Sequence, residues 1–330
     1  MVKKKLAIVM ASSLALALAV SLIVPVATAP QPLAEAGPQS PRELSVLMLP
    51  ADLSGESSLA GQSTGWPPGG PWWKPKPPWE PSANKWAVVI GIANYQGPPE
   101  KDDIPYDLCH PDEDAKEMTE ALVTQYGFPA QNIKLLLNGQ ATARAIVSAI
   151  DWLAEREDAD STVVFFFSGH GFNVTDAEAW AAGVDFDIEW DGMDEGIVSS
   201  DWYGLTDGFL AYKFSAFESQ KFALIFGSCN SGGMFDDDDD LQASGRVICA
   251  ASMANETAFD YCGLGNTLFG YYFVDEGILD GKADVNGDGA VSMEEALAYA
   301  QWGMSEGPQT EPPFTSQPQI YDGFAGELVP

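Results

Sequence analysis

Five short apolar runs set the possibilities for this chain: residues 86–92, 133–137, 162–167, 222–226 and 246–250. Each is rich in Val, Ile, Leu or Phe, and none alternates between apolar and polar positions. That is the pattern of a strand buried on both faces. Helical patterns fall between the runs. Asp112, Glu113 and Asp114 supply the acidic first turn of a helix through residues 115–123, which Gly127 and Pro129 bring to an end. Thr142 is placed to cap a second helix, with Ile146, Ile150 and Leu153 on one stripe. Strands alternating with helices predict an α/β fold, an open and mostly parallel sheet with helices on both faces. Chemistry in such sheets gathers at the carboxyl ends of the strands.

Two of these ends carry chemistry. The third run leads into Ser168-Gly169-His170-Gly171, and the fourth into Gly227-Ser228-Cys229-Asn230-Ser231-Gly232-Gly233. Glycines on both sides let the backbone turn tightly and approach a ligand. The chain has two histidines and four cysteines. His110 lies just before the acidic helix start and reads as a surface or capping residue. Cys249, inside a strand, reads as an inert buried thiol. His170 and Cys229 read instead as a proton-transfer group and a nucleophile sharing one site. Cys109 and Cys262 are available for oxidation, with the pairing open because Cys249 is also present.

Charge narrows the partners. Asp and Glu number 48 against 16 Lys and Arg, a formal charge of -32. No basic stripe exists to displace phosphate counterions, so nucleic acid is excluded as an expected partner. Divalent cations and cationic substrates are favoured.

The chain opens with Lys3, Lys4 and Lys5 before an uncharged run through Ala29, the layout of a secretory signal peptide over 1–29 or of an uncleaved N-terminal membrane anchor. Either places the remainder outside the cytoplasm, secreted or attached to the cell surface. Residues 30–84 are rich in Pro, Gly and Trp and read as a linker or pro-segment. A catalytic domain is expected over 85–303 and a C-terminal tail over 304–330. Asp236 to Asp240, five consecutive like charges, read as a solvated loop.

A second site lies at 284–295. Asp284, Asn286 and Asp288 occupy positions 1, 3 and 5 of an EF-hand-like loop, with Gly289 at 6, the Ala290 carbonyl at 7, Ser292 at 9 and Glu295 at 12. These residues predict a Ca2+ site.

The block Phe165-Phe166-Phe167-Ser168-Gly169-His170-Gly171, with Cys229 following 59 residues after His170, resembles the caspase and metacaspase group of cysteine peptidases. The resemblance covers most of 85–303 and includes Asp114-Ala115 and Asn266-Thr267-Leu268-Phe269. Legumain-type peptidases share the fold and dyad, and Ser231-Gly232-Gly233-Met234-Phe235 is faintly similar to theirs. By this resemblance Cys229 attacks the scissile carbonyl of a protein or peptide substrate and His170 manages protons. The amides of Gly171 and Cys229 would form the oxyanion hole. Metacaspases usually carry an acidic residue two places before the nucleophile to read a basic side chain; here Gly227 stands there. Asp114, Asp194, Glu195 and Asp201 remain as substrate-pocket candidates. The expectation is a calcium-responsive endopeptidase cleaving after basic residues. Its rival is a catalytically inactive calcium-binding scaffold on the same fold.

Overall fold

Alternate residues of the apolar runs pack to opposite sides of one sheet, as double-sided burial requires. The computed structural model describes residues 84–96, 107–182, 191–236, 241–260, 262–307 and 316–330. The expected signal or anchor, almost all of the 30–84 segment and Asp237 to Asp240 lie outside them. Among the described residues no helix is long and apolar enough to cross a membrane.

The elements run β1 (Lys85–Gly91), α1 (Pro111–Thr124), β2 (Ile133–Leu137), α2 (Ala143–Ala154), β3 (Thr162–Ser168), β4 (Gly171–Thr175) and α3 (Asp176–Ala182). There follow β5 (Met193–Val198), β6 (Gly204–Thr206), α4 (Asp207–Phe214), β7 (Phe222–Gly227) and β8 (Arg246–Ala250). Helix α5 begins at Leu268–Gly270 and continues as a π-helix over Tyr271–Leu279, before α6 (Met293–Glu306) and β9 (Gln319–Asp322). The main sheet has the order β2-β1-β3-β7-β8-β9. Its first five strands pair in parallel and β9 joins antiparallel.

Val88, Ile90, Phe165, Phe167, Leu224 and Phe226 face α2 and α4 through Ile146, Ile150, Leu210 and Phe214. Val89, Val164, Phe166, Ile225 and Cys249 face α1, α5 and α6 through Met118, Leu122, Phe273 and Leu297. Each fully buried side chain of this size contributes roughly 1.5–3 kcal/mol, so two apolar faces hold the strand ends rigidly. Thr142 caps α2 as expected, its hydroxyl accepting from the Ala145 amide at 3.2 Å.

Two features depart from the sequence reading. Residues 304–330 are not simply a tail. Gln319–Asp322 completes the edge of the main sheet, with Ile248 opposite Tyr321. Four residues are too short a run to announce a strand by pattern, and β8 supplies the pairing partner. A second sheet of β4, β5 and β6, all antiparallel, lies between His170 and Cys229 in sequence.

Candidate active site

Strands β3 and β7 are neighbours, with Ser168 directly opposite Gly227, so the two loops leave the same sheet edge side by side. The Gly169 amide donates to the Gly227 carbonyl at 3.3 Å. Gly171 approaches so closely that a Cβ there would collide with the Cys229 carbonyl oxygen, with the carbonyl carbon 3.0 Å away. Only glycine fits after the histidine. His170 and Cys229 therefore stand on touching loops.

Cys229 is half-buried, and its thiol lies 3.7 Å from the Ala258 carbonyl oxygen. Burial pushes the thiol pKa up. Cys249 is wholly buried beneath α6 and its pKa is raised much further, again by burial. The two free thiols thus differ in access, as reactivity requires.

His170 is set in an aromatic cradle that the sequence reading did not include. Its ring centroid lies 4.7 Å from that of Tyr95 and 5.9 Å from that of Trp202. The Tyr95 hydroxyl also accepts from the His170 backbone amide at 2.7 Å. Tyr95 follows the carboxyl end of β1, so the strand-end rule pointed to it; Trp202, between β5 and β6, had no such signal.

Asn230, directly after Cys229, has φ 59°, a left-handed conformation that asparagine tolerates better than most residues. Its amide donates to the Glu256 carbonyl at 2.9 Å and its Nδ2 to the Ala254 carbonyl at 2.6 Å. Ser231 Oγ donates to the Ser228 carbonyl at 2.8 Å, closing the turn from below.

The acidic candidates separate. Asp114 is 1% exposed and lies beneath the strand ends, its Oδ2 accepting from Ser168 Oγ and Thr267 Oγ1, both at 2.7 Å. Its Oδ1 accepts from the Thr267 amide at 3.0 Å. Burial pushes its pKa up to about 6 despite these hydrogen bonds. A Cβ at Gly227 would lie 3.3 Å from Ser168 Oγ and 3.5 Å from both the Phe167 carbonyl oxygen and the Phe269 ring, so the position beside this network is tightly packed. Asp194 and Glu195 are buried on β5, and the Glu195 side chain packs against Gly233 just beyond the Cys229 turn. Asp201 is tied to the start of α2. Its Oδ1 accepts from the Ala143 amide at 2.9 Å and from Ser199 Oγ at 2.7 Å, satisfying a first-turn donor of α2.

At 284–295 the chain coils around its own acidic side chains. Asp284 accepts from the amides of Gly287 at 2.8 Å and Gly289 at 3.1 Å, and Asp288 Oδ1 from the Ala290 amide at 3.0 Å. Asn286 Oδ1 accepts from the Asp288 amide at 2.8 Å. Ser292 caps α6, and Glu295 returns to the Ser292 amide at 3.0 Å in a capping box.

The Caspase domain family profile matches residues 84–305. The chain belongs to the caspase-domain family. It is 32% identical over 169 residues to Metacaspase-1 of Plasmodium falciparum (isolate 3D7), an alignment covering 47% of this chain and 25% of that protein. It is 35% identical over 127 residues to Metacaspase-3 of Arabidopsis thaliana, covering 37% of this chain and 31% of that one. The matched stretch is thus a third or less of either relative's length. Protein GSU0716 from Geobacter sulfurreducens has the same fold, with a TM-score of 0.53 at 18% identity, over 75% of this chain and 97% of that one. The caspase domain accounts for the mostly parallel sheet.

Proposed function

We propose that the protein is an exported, calcium-responsive cysteine endopeptidase in which Cys229 attacks the scissile carbonyl and His170 carries the proton. The observation that carries this reading is the contact between the two loops, with the Gly171 backbone against the Cys229 carbonyl. Attack forms the sulfur–carbon bond, and His170 then protonates the departing amine as the carbon–nitrogen bond breaks. Water hydrolyses the thioester and regenerates the thiol. The amides of Gly171 and Cys229 are the donors assigned to the developing oxyanion.

Cleavage after Arg or Lys is the preference we assign. Its support is the formal charge of -32 and the Asp114 carboxyl group beneath the strand ends, joined through Ser168 to the close-packed backbone at Gly227. Calcium is assigned to the 284–295 loop. Asp284, Asn286, Asp288, Ser292, Glu295 and the Ala290 carbonyl form an all-oxygen donor set suited to a hard divalent cation. Bound there, calcium supplies positive charge that neutralises these carboxylates and fixes the start of α6. Export rests on the N-terminal Lys-rich and apolar segment.

The test is hydrolysis of a peptide library by the parent and the Cys229→Ala protein, with a substrate-like electrophile as label. Activity lost in Cys229→Ala, with Cys229 labelled and Cys249 spared, is the expected result. Full turnover in Cys229→Ala would discard the mechanism, and a preference for Asp or Asn would discard the basic specificity.

A further inference from the structure

The segment from Met253 to Asp260 crosses the Cys229 turn and is fastened at both ends. Three of its carbonyls meet that turn: Ala254 accepts from Asn230 Nδ2, Glu256 from the Asn230 amide, and Ala258 lies 3.7 Å from the Cys229 thiol. Two of these bonds hold the one left-handed residue beside the nucleophile, Asn230. At one end the loop is fixed by the Cys109–Cys262 disulfide, with a Cα–Cα distance of 5.3 Å, and by Asp260, which accepts from the Cys109 amide.

At the other end the fastening is Glu256. Its Oε2 accepts from the Met253 amide at 3.2 Å and the Gln317 amide at 2.9 Å, and its Oε1 accepts from Gln317 Nε2 at 3.1 Å. Gln317 lies just before β9, beyond the segment the family profile matches. A carboxylate accepting three N–H groups is a charge-assisted anchor, stronger than neutral hydrogen bonds of the same length. Because the Glu256 carbonyl receives the Asn230 amide, movement of the Glu256 side chain is passed to the nucleophile turn in one residue.

We infer that Glu256, held by Gln317, is a positioning residue for Cys229, so that the C-terminal segment takes part in setting the nucleophile. This rests on the peptidase reading above. A displaced turn moves Cys229 relative to His170 and to the amide that receives the oxyanion. Misplacement of this kind lowers the chemical step more than substrate binding.

The experiment compares the full-length parent with Glu256→Ala, Glu256→Gln and Gln317→Ala. For each, kcat, KM, melting temperature and the rate of Cys229 alkylation by iodoacetamide are measured. Glu256→Ala is expected to lower kcat about tenfold with KM within about twofold, and to change the alkylation rate of Cys229 alongside. Gln317→Ala, at an exposed side chain that removes one hydrogen bond, is expected to show a smaller effect of the same form with an unchanged melting temperature. Glu256→Gln keeps an oxygen acceptor and is expected to recover most of the loss. Parent values of kcat and alkylation rate in both Gln317→Ala and Glu256→Ala would overturn the inference. So would a rise in KM with kcat unchanged, which would make the loop a substrate contact only. If Glu256→Ala does not fold, Gln317→Ala decides alone. A parent that alkylates at Cys229 but hydrolyses no peptide would refute the peptidase reading, while the alkylation series would still report on positioning.

Discussion

The Tyr95 hydroxyl accepts a hydrogen bond from the backbone amide of His170 at 2.7 Å, while the two rings lie 4.7 Å apart. One side chain from the end of β1 thus fixes both the backbone and the ring of the histidine at the end of β3. Burial pushes the Tyr95 pKa upward, so the phenol stays neutral across the working range.

Tyr95→Phe keeps the ring contact and removes the acceptor. The part-buried His170 amide then loses its partner, at a cost of up to about 1–3 kcal/mol. The expected outcome is a lower melting temperature together with a fall in kcat of about tenfold, read from thermal melts and peptide hydrolysis. Parent kinetics in Tyr95→Phe would show that the aromatic contact alone orients His170.

Cys249→Ala should lower stability and leave chemistry alone. The Cys249 thiol is 0% exposed and lies 3.8 Å from the Met293 carbonyl. Removing it leaves a small cavity worth about 1 kcal/mol. Denaturant unfolding should show this loss, with kcat and KM unchanged once the protein is folded.

Asp114 should make stability fall as pH rises from 4 toward 7. Its folded pKa of about 6 lies above the ordinary value of 3.8, so the folded state holds the proton more tightly. The contribution is fully present below the unfolded pKa and is lost as pH passes through the folded one. Glu117, raised to about 7 by burial, acts in the same direction. For Asp114 the shift corresponds to about 2–3 kcal/mol. Melts of Asp114→Asn between pH 4 and 7 should show a flatter slope than the parent. The same carboxylate predicts that hydrolysis after Arg falls below about pH 6 more steeply in the parent than in Asp114→Asn. Parallel profiles would remove Asp114 from the specificity pocket.

Calcium should raise the melting temperature through the 284–295 loop. At a free concentration a hundredfold above the dissociation constant, binding to the folded state alone adds about 2.7 kcal/mol. Glu295 is 6% exposed and its Oε1 already accepts from the Asn286 amide at 3.3 Å, so it sits at the centre of the loop. Glu295→Gln should lose most of the calcium-dependent shift, while Asp238→Asn should keep it. An equal shift in Glu295→Gln, measured in the Cys229→Ala background to prevent self-digestion, would place calcium elsewhere.

The five apolar runs alone determined the parallel core of the sheet. Double-sided burial leaves a strand little choice of surroundings, and the observed strands at Ile133–Leu137 and Arg246–Ala250 match the runs residue for residue. The placement of His170 and Cys229 was legible for a related reason: each follows a buried strand closely and has glycines nearby in sequence, so local sequence carries their position. Tertiary structure decided everything that depends on what lies across a gap. β9 is four residues that become a strand only against β8, and Asp201 is an acid whose task was set by an amide 58 residues away in the chain. Asp114, Tyr95 and Glu256 likewise take their roles from partners far off in sequence. A hydrogen bond between distant residues leaves no periodicity in the chain, whereas burial on a strand or helix writes its repeat directly into the order of the residues.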